Sequence, residues 1–70
     1  MNKFRLKDLR EDMDLKQKEI ADIIKTTQQQ YSKYEIEDRM IPIDKLILLA
    51  DYYNVSLDYI VGRTNIKKRL

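Results

Sequence analysis

The residues with the most chemistry to offer are three consecutive glutamines, Gln28, Gln29 and Gln30, directly after Thr26 and Thr27. A glutamine amide carries a donor beside an acceptor and can pair with N6 and N7 of an adenine in the DNA major groove. Such a pair contributes about 1–3 kcal/mol of discrimination. Thr27 is a good helix N-cap, with Gln30 placed to complete a capping box of the S/T-x-x-E/Q kind. Helical spacing then puts Gln28, Gln29, Ser32 and Lys33 on the outer face of a short helix, and Tyr31 and Tyr34 on the inner face. A helix laid in the major groove touches bases with its first turns, where Gln28 and Gln29 stand, and Lys33 can reach a base or a phosphate. The plain alternative is a solvated helix face, because Gln is a good helix former.

The rest of the chain reads as support for that helix. One Gly and one Pro in 70 residues, with few alternating apolar patterns, predict an all-α domain. A first helix from about Lys3 to Asp12 places Leu6, Leu9, Arg10 and Met13 on one face. An arginine in that inward stripe calls for a buried acidic partner, and Glu35 is the candidate. Asp14 suits a left-handed turn. A second helix, about Lys16 to Ile24, turns Ile20, Ala21 and Ile24 inward; Asp14 with Gln17 is spaced like a capping box, and Lys16 is an alternative cap. The free N–H groups at its start, beside Lys16 and Gln17, suit a phosphate. Lys25 stands where glycine is the easy residue.

Residues 36–43 form a loop with Pro42 near its end. A fourth helix, about Asp44 to Tyr53, buries Leu46, Leu49, Ala50 and Tyr53. Ser56 caps a fifth helix that turns Leu57, Ile60 and Val61 inward and stops at Gly62. This divides the chain into a domain over 1–64 and a basic, frayed tail over 65–70.

Composition narrows the function. A chain of 70 residues makes one domain with a thin core. It contains no Cys and no His, which excludes disulfides and the usual zinc sites; no metal and no cofactor is expected. The acid pairs Glu11-Asp12 and Glu37-Asp38 are sequence neighbours on exposed segments, not a facing catalytic pair, so no catalytic residue and no enzyme is expected. Neither a signal peptide pattern nor an apolar run long enough to span a membrane is present, which predicts a soluble, cytoplasmic protein with no membrane partner. The net charge of +2 is uneven: residues 1–62 carry 10 Lys/Arg against 12 Asp/Glu, giving −2, and residues 63–70 carry four basic residues and no acid, giving +4. A nucleic-acid reader built on this chain needs a local interface rather than a globally basic body.

The pattern Leu6, Leu9, Arg10, Leu15, Gln17, Glu19, Ile20, Ala21, Ile24, Thr27, Tyr31, Tyr34, Glu35, Leu46, Leu49 and Ala50, with VSLDYIVGRT from Val55 to Thr64, resembles the Cro/repressor-type helix-turn-helix family, also called the XRE family. The resemblance covers about residues 3–64, and Thr26 to Gln29 is especially similar to lambda-like phage repressors. It implies a five-helix lambda-repressor-like domain that binds operator DNA, usually as a two-fold dimer on an inverted repeat. By that resemblance Gln28, Gln29, Ser32 and Lys33 face bases, Gln17 and Arg39 approach the DNA backbone, and Thr27 lies close to the backbone or a base; Lys16, at the phosphate-suited start of the second helix, is expected at the backbone from its position alone. Gln17 also braces the recognition helix, and Arg10 with Glu35 forms an internal salt bridge.

Departures from the family pattern are Lys25 for the usual turn Gly, Lys16 for a polar cap, and Glu37 beside Asp38 near the expected phosphate path. The leading expectation is a sequence-specific double-stranded DNA-binding regulator, a repressor acting by operator occupancy, with no small-molecule ligand. The alternative is a protein-interaction module, such as an antitoxin-like partner, using the same fold. Tyr52 and Tyr59 with Ile66 and Leu70 are a candidate homodimer patch.

Overall fold

The computed structural model describes residues 4–68. In chain order the described helices are α1 (Leu6–Asp12), α2 (Gln17–Ile23), α3 (Gln28–Glu35), α4 (Ile43–Tyr53) and α5 (Leu57–Ile60), and no strand occurs among these residues. The all-α, five-helix expectation holds. α2 and α3 form the most extensive helix pair, with α1 packed against α3 and α4 against α5.

One core joins all five helices. Leu6, Ile20, Ile24, Tyr31, Leu49 and Ile60 are its largest fully buried side chains. Ala21 is buried on α2, and Ile41 is buried in the loop between α3 and α4. Leu57, Tyr53 and Val61 pack against this core without being fully covered.

Helix boundaries follow from where backbone donors are spent. α1 begins at Leu6, not near Lys3, which lies outside the described residues. The Arg5 N–H bonds to the Ile60 carbonyl at 2.7 Å, and the Phe4 N–H to Glu37 Oε1 at 3.2 Å. Both are donors that the start of a helix leaves without an internal partner, and both are satisfied from elsewhere in the fold. Met13 is 50% exposed, against the inward placement expected of it, because it caps α1 and the chain leaves the helix there. The expected Asp14–Gln17 box is replaced by Lys16 as N-cap, whose N–H donates to Glu19 Oε1 at 2.9 Å. A lysine side chain has no acceptor, so only that half of a capping box exists. α4 starts at Ile43 with Pro42 as its N-cap, one residue before the expected start.

Every helix ends on a left-handed residue. Asp14, Lys25, Glu37, Asn54 and Gly62 have φ between 56° and 82°. Each end closes with the two N–H bonds of a Schellman motif, as when Thr26 N–H meets the Ala21 carbonyl at 2.9 Å and Lys25 N–H meets that of Asp22 at 3.2 Å. Gly62 adopts this conformation freely, whereas Lys25 and Glu37 do so against a steric cost of about 1–2 kcal/mol each.

The tail is not frayed through Lys67. Arg5 Nη1 donates to the Tyr59 carbonyl at 2.5 Å and the Thr64 carbonyl at 2.7 Å, and Nη2 to Asn65 Oδ1 at 2.7 Å. The Arg5 guanidinium also stacks 4.1 Å from the Tyr59 ring centroid, and Ser56 N–H bonds to the Lys67 carbonyl at 3.1 Å. These partners lie more than fifty residues from Arg5 in sequence, so no local pattern announces them.

Candidate nucleic-acid interface

Thr27 starts α3 by accepting the Gln30 N–H on Oγ1 at 3.1 Å, which satisfies one orphan donor of the helix. The reciprocal half of the box does not form. Gln30 Nε2 instead donates to the Tyr34 hydroxyl one turn on, at 3.3 Å. Gln30 is thereby turned along the helix, and two glutamines of the run, not three, front the outer face.

That face opens on a shallow groove of about 530 Å³ lined by Gln17, Gln28, Gln29, Ser32 and Lys33. Its floor is the seam between the start of α2 and the first two turns of α3. Its side chains end in three amides and one hydroxyl over their apolar stems, with the Lys33 ammonium as the one formal charge. Gln28, Gln29, Ser32 and Lys33 make no side-chain hydrogen bond among the described residues, so their donors and acceptors face solvent uncommitted.

The inner side of α3 is locked. Glu35 is 3% exposed and takes a bidentate pair from Arg10, Nε to Oε2 at 2.6 Å and Nη2 to Oε1 at 3.2 Å. Gln17 Nε2 donates to Oε1 at 3.1 Å, and Arg10 Nη1 caps the Leu15 carbonyl at 2.8 Å. This one cluster therefore joins α1, the turn before α2, the first residue of α2 and the last residue of α3. The Tyr31 hydroxyl approaches the same carboxylate without completing a well-aligned hydrogen bond.

Burial pushes the Glu35 carboxyl up, but hydrogen bonding from Arg10 and Gln17, together with the nearby Tyr31 hydroxyl and the Arg10 charge, outweighs it and holds the pKa below its ordinary value. Hydrogen bonding to Glu35 raises Arg10 further, against the opposing effect of its burial. Tyr31 and Tyr53 are both pushed far up, first by burial and then by the neighbouring carboxylate. All four therefore keep one charge state through the neutral range.

Other expected interface residues are placed separately. Lys16 is exposed as the N-cap of α2, and Thr27 is exposed as the N-cap of α3. Arg39 is exposed in a separate hollow of about 320 Å³, lined with Phe4, Tyr34, Glu37, Asp38, Met40 and Ile41. The structure thus gathers Gln17, Gln28, Gln29, Ser32 and Lys33 on one groove and sets Arg39 apart among acids.

Lys45 was not singled out by its spacing. From α4 its Nζ donates to the Ile24 carbonyl at 3.0 Å and approaches that of Lys25 at 3.5 Å, at the turn between α2 and α3. No periodicity reveals a lysine that acts on another helix.

Two short helices joined by a tight left-handed turn, the second carrying free amides over a locked base, define a helix-turn-helix. The family model described as "Helix-turn-helix" matches residues 6–60, and the chain belongs to this family, in its Cro/repressor or XRE type. Two Bacillus subtilis proteins are similar to it. One is named an uncharacterized HTH-type transcriptional regulator, YobD, 41% identical over 61 residues that make up 87% of this chain and 54% of that one. The other is the HTH-type transcriptional regulator ImmR, 35% identical over 65 residues, 93% of this chain and 51% of that one. The chain spans about half the length of these relatives. No solved structure matches significantly. Among the described residues no group of His, Cys, Asp and Glu is arranged to hold a metal ion, and no helix is long and apolar enough to cross a membrane.

Proposed function

We propose that this chain binds double-stranded DNA sequence-specifically, with α3 in the major groove, and serves as a cytoplasmic transcriptional regulator that represses by occupying its operator. The observation that carries the reading is the uncommitted amide pair Gln28 and Gln29 in the first turn of α3, beside Gln17, on a helix whose other face is fixed by a satisfied ion pair. In this reading Gln28, Gln29, Ser32 and Lys33 meet base edges, and Lys16, Gln17, Thr27 and Arg39 meet phosphates. Arg39, with Glu37 and Asp38 beside it, contributes least.

The operator is an inverted repeat read by a homodimer. Of the side chains expected to pair two copies, Tyr52 and Ile66 are exposed, whereas Tyr59 is engaged by Arg5 within its own chain; Leu70 lies outside the described residues.

Selection from a random duplex library at near-physiological salt tests the proposal. Enrichment of an inverted repeat with half-sites about one helical turn apart supports it. Binding that shows no enrichment and fades as salt rises refutes it. A second reading, a protein-interaction module, draws on the exposed apolar face of α4, where Ile43, Ile47, Leu48 and Tyr52 stand clear of the core. Replacing both Gln28 and Gln29 by Ala separates the two readings, since an interaction through α4 is indifferent to that change and base selection is not.

A further inference from the structure

We infer that Lys45 is a positioning residue for α3: its ammonium ties off the carboxyl end of α2 at the α2–α3 turn and so sets how α3 is presented to DNA. The inference rests on the DNA-binding reading above.

α2 has 7 residues, too few to hold its shape by intrinsic helix stability. Its last turn contains no basic residue, and it passes into the turn through Lys25, a non-glycine residue at φ 61°. Its amino end is fixed from outside by the Gln17–Glu35 bond. Its carboxyl end is fixed from outside by Lys45, whose Nζ donates to the Ile24 carbonyl at 3.0 Å. A cation at that end also complements the negative pole of the helix.

The placement makes no sense for α4 itself. Lys45 lies in the first turn of that helix, where the positive pole disfavours a cation, and Asp44 beside it is the residue the pole favours. The side chain is half-buried and reaches back across to the turn rather than extending into solvent. Its favourable interactions are with the end of α2. Since only Lys25, Thr26 and Thr27 separate Ile24 from α3, a shift at Ile24 is passed directly to Gln28 and Gln29.

A direct phosphate contact by Lys45 is the rival explanation, and salt dependence distinguishes it. A lysine that neutralises a phosphate weakens all sequences alike when removed and lowers the salt slope by about 1. A lysine that only positions α3 alters the preference between sequences and leaves the slope in place.

The test uses the full chain, the duplex enriched by site selection, and a random-sequence duplex of the same length. For Lys45→Met we expect affinity for the enriched duplex to fall by about tenfold, in line with losing a charged hydrogen bond. Affinity for the random duplex and the salt slope stay unchanged, and Lys45→Arg restores most of the loss. Hydrogen exchange at the Lys25 and Thr26 amides speeds up in Lys45→Met, while exchange at the Glu37 and Asp38 amides, which close α3 in the same way, does not. If Lys45→Met fails to fold, Lys45→Gln replaces it, with the same pattern expected at smaller amplitude.

Equal weakening of both duplexes with a slope reduced by about 1 overturns the inference in favour of a phosphate contact. Unchanged affinity for the enriched duplex also overturns it. Failure of the wild-type chain to enrich any duplex is a different result, which removes the DNA-binding reading itself.

Discussion

The two faces of α3 are built on opposite rules. The inner face ends in Glu35, whose carboxylate takes hydrogen bonds from Arg10 and Gln17 and is almost wholly withdrawn from solvent. The outer face presents Gln28, Gln29, Ser32 and Lys33 to an open groove with no bond to the described protein. A buried polar group left unpaired costs stability, so the inner cluster must be complete to exist. A reading surface works the other way, since donors satisfied internally have nothing to offer a base pair. Gln17 belongs to both faces, lining the groove and donating to Glu35. It is the point at which the rigidity of one face reaches the other.

The largest effect should come from the inner face. Glu35→Ala leaves the Arg10 guanidinium without its partner in a poorly solvated site, and we expect a loss of about 3–5 kcal/mol in denaturant unfolding. A loss under 1 kcal/mol would mean that the cluster is not under the tension of burial described here.

Next, Gln28→Ala and Gln29→Ala should each reduce discrimination at one base position by about 1–3 kcal/mol, measured by competition between single-base operator variants. Their unfolding free energies should stay within about 0.5 kcal/mol of wild type, as for surface changes. The comparison between faces fails if stability moves as much as binding.

The pH dependence sharpens the same contrast. The Glu35 pKa is depressed in the folded state, so its contribution to stability is fully present above its ordinary value of 4.5 and is lost as pH falls through the depressed folded value. The stability difference between wild type and Glu35→Gln should therefore be flat from neutral pH down to about 4.5, shrink as pH falls from there to the depressed folded value, and level off below it. Urea titrations of both proteins across acid pH would reveal this.

The smallest effect belongs to the turn. Lys25→Gly should stabilise the fold by up to about 1 kcal/mol, because relief of the left-handed strain at φ 61° exceeds the added freedom of the unfolded chain. A lower thermal midpoint for this variant would show that Lys25 contributes more than its backbone.

Much of this was legible from residue type and spacing. Thr27 and Ser56 do cap α3 and α5, with Oγ1 and Oγ accepting at 3.1 and 3.0 Å. The odd arginine in the stripe of α1 already demanded an acid. The misreadings share a cause. Met13 continued the helical period but lay past the end of the helix, and Gln30 matched a capping box yet found a better acceptor in Tyr34. The tail looked free because its fastening, Arg5, stands at the other end of the chain.

By itself the sequence determined which segments become helices, which of their faces turn inward, and which amides come to the first turn of α3, because periodicity and capping act over three or four residues. The tertiary structure decided which partners hold α2 at its two ends. Gln17 reaches Glu35 across 18 positions, and Lys45 reaches Ile24 across 21. Neither contact leaves a local signature, since each depends on where a second helix lies, and that is set by burial of the shared core.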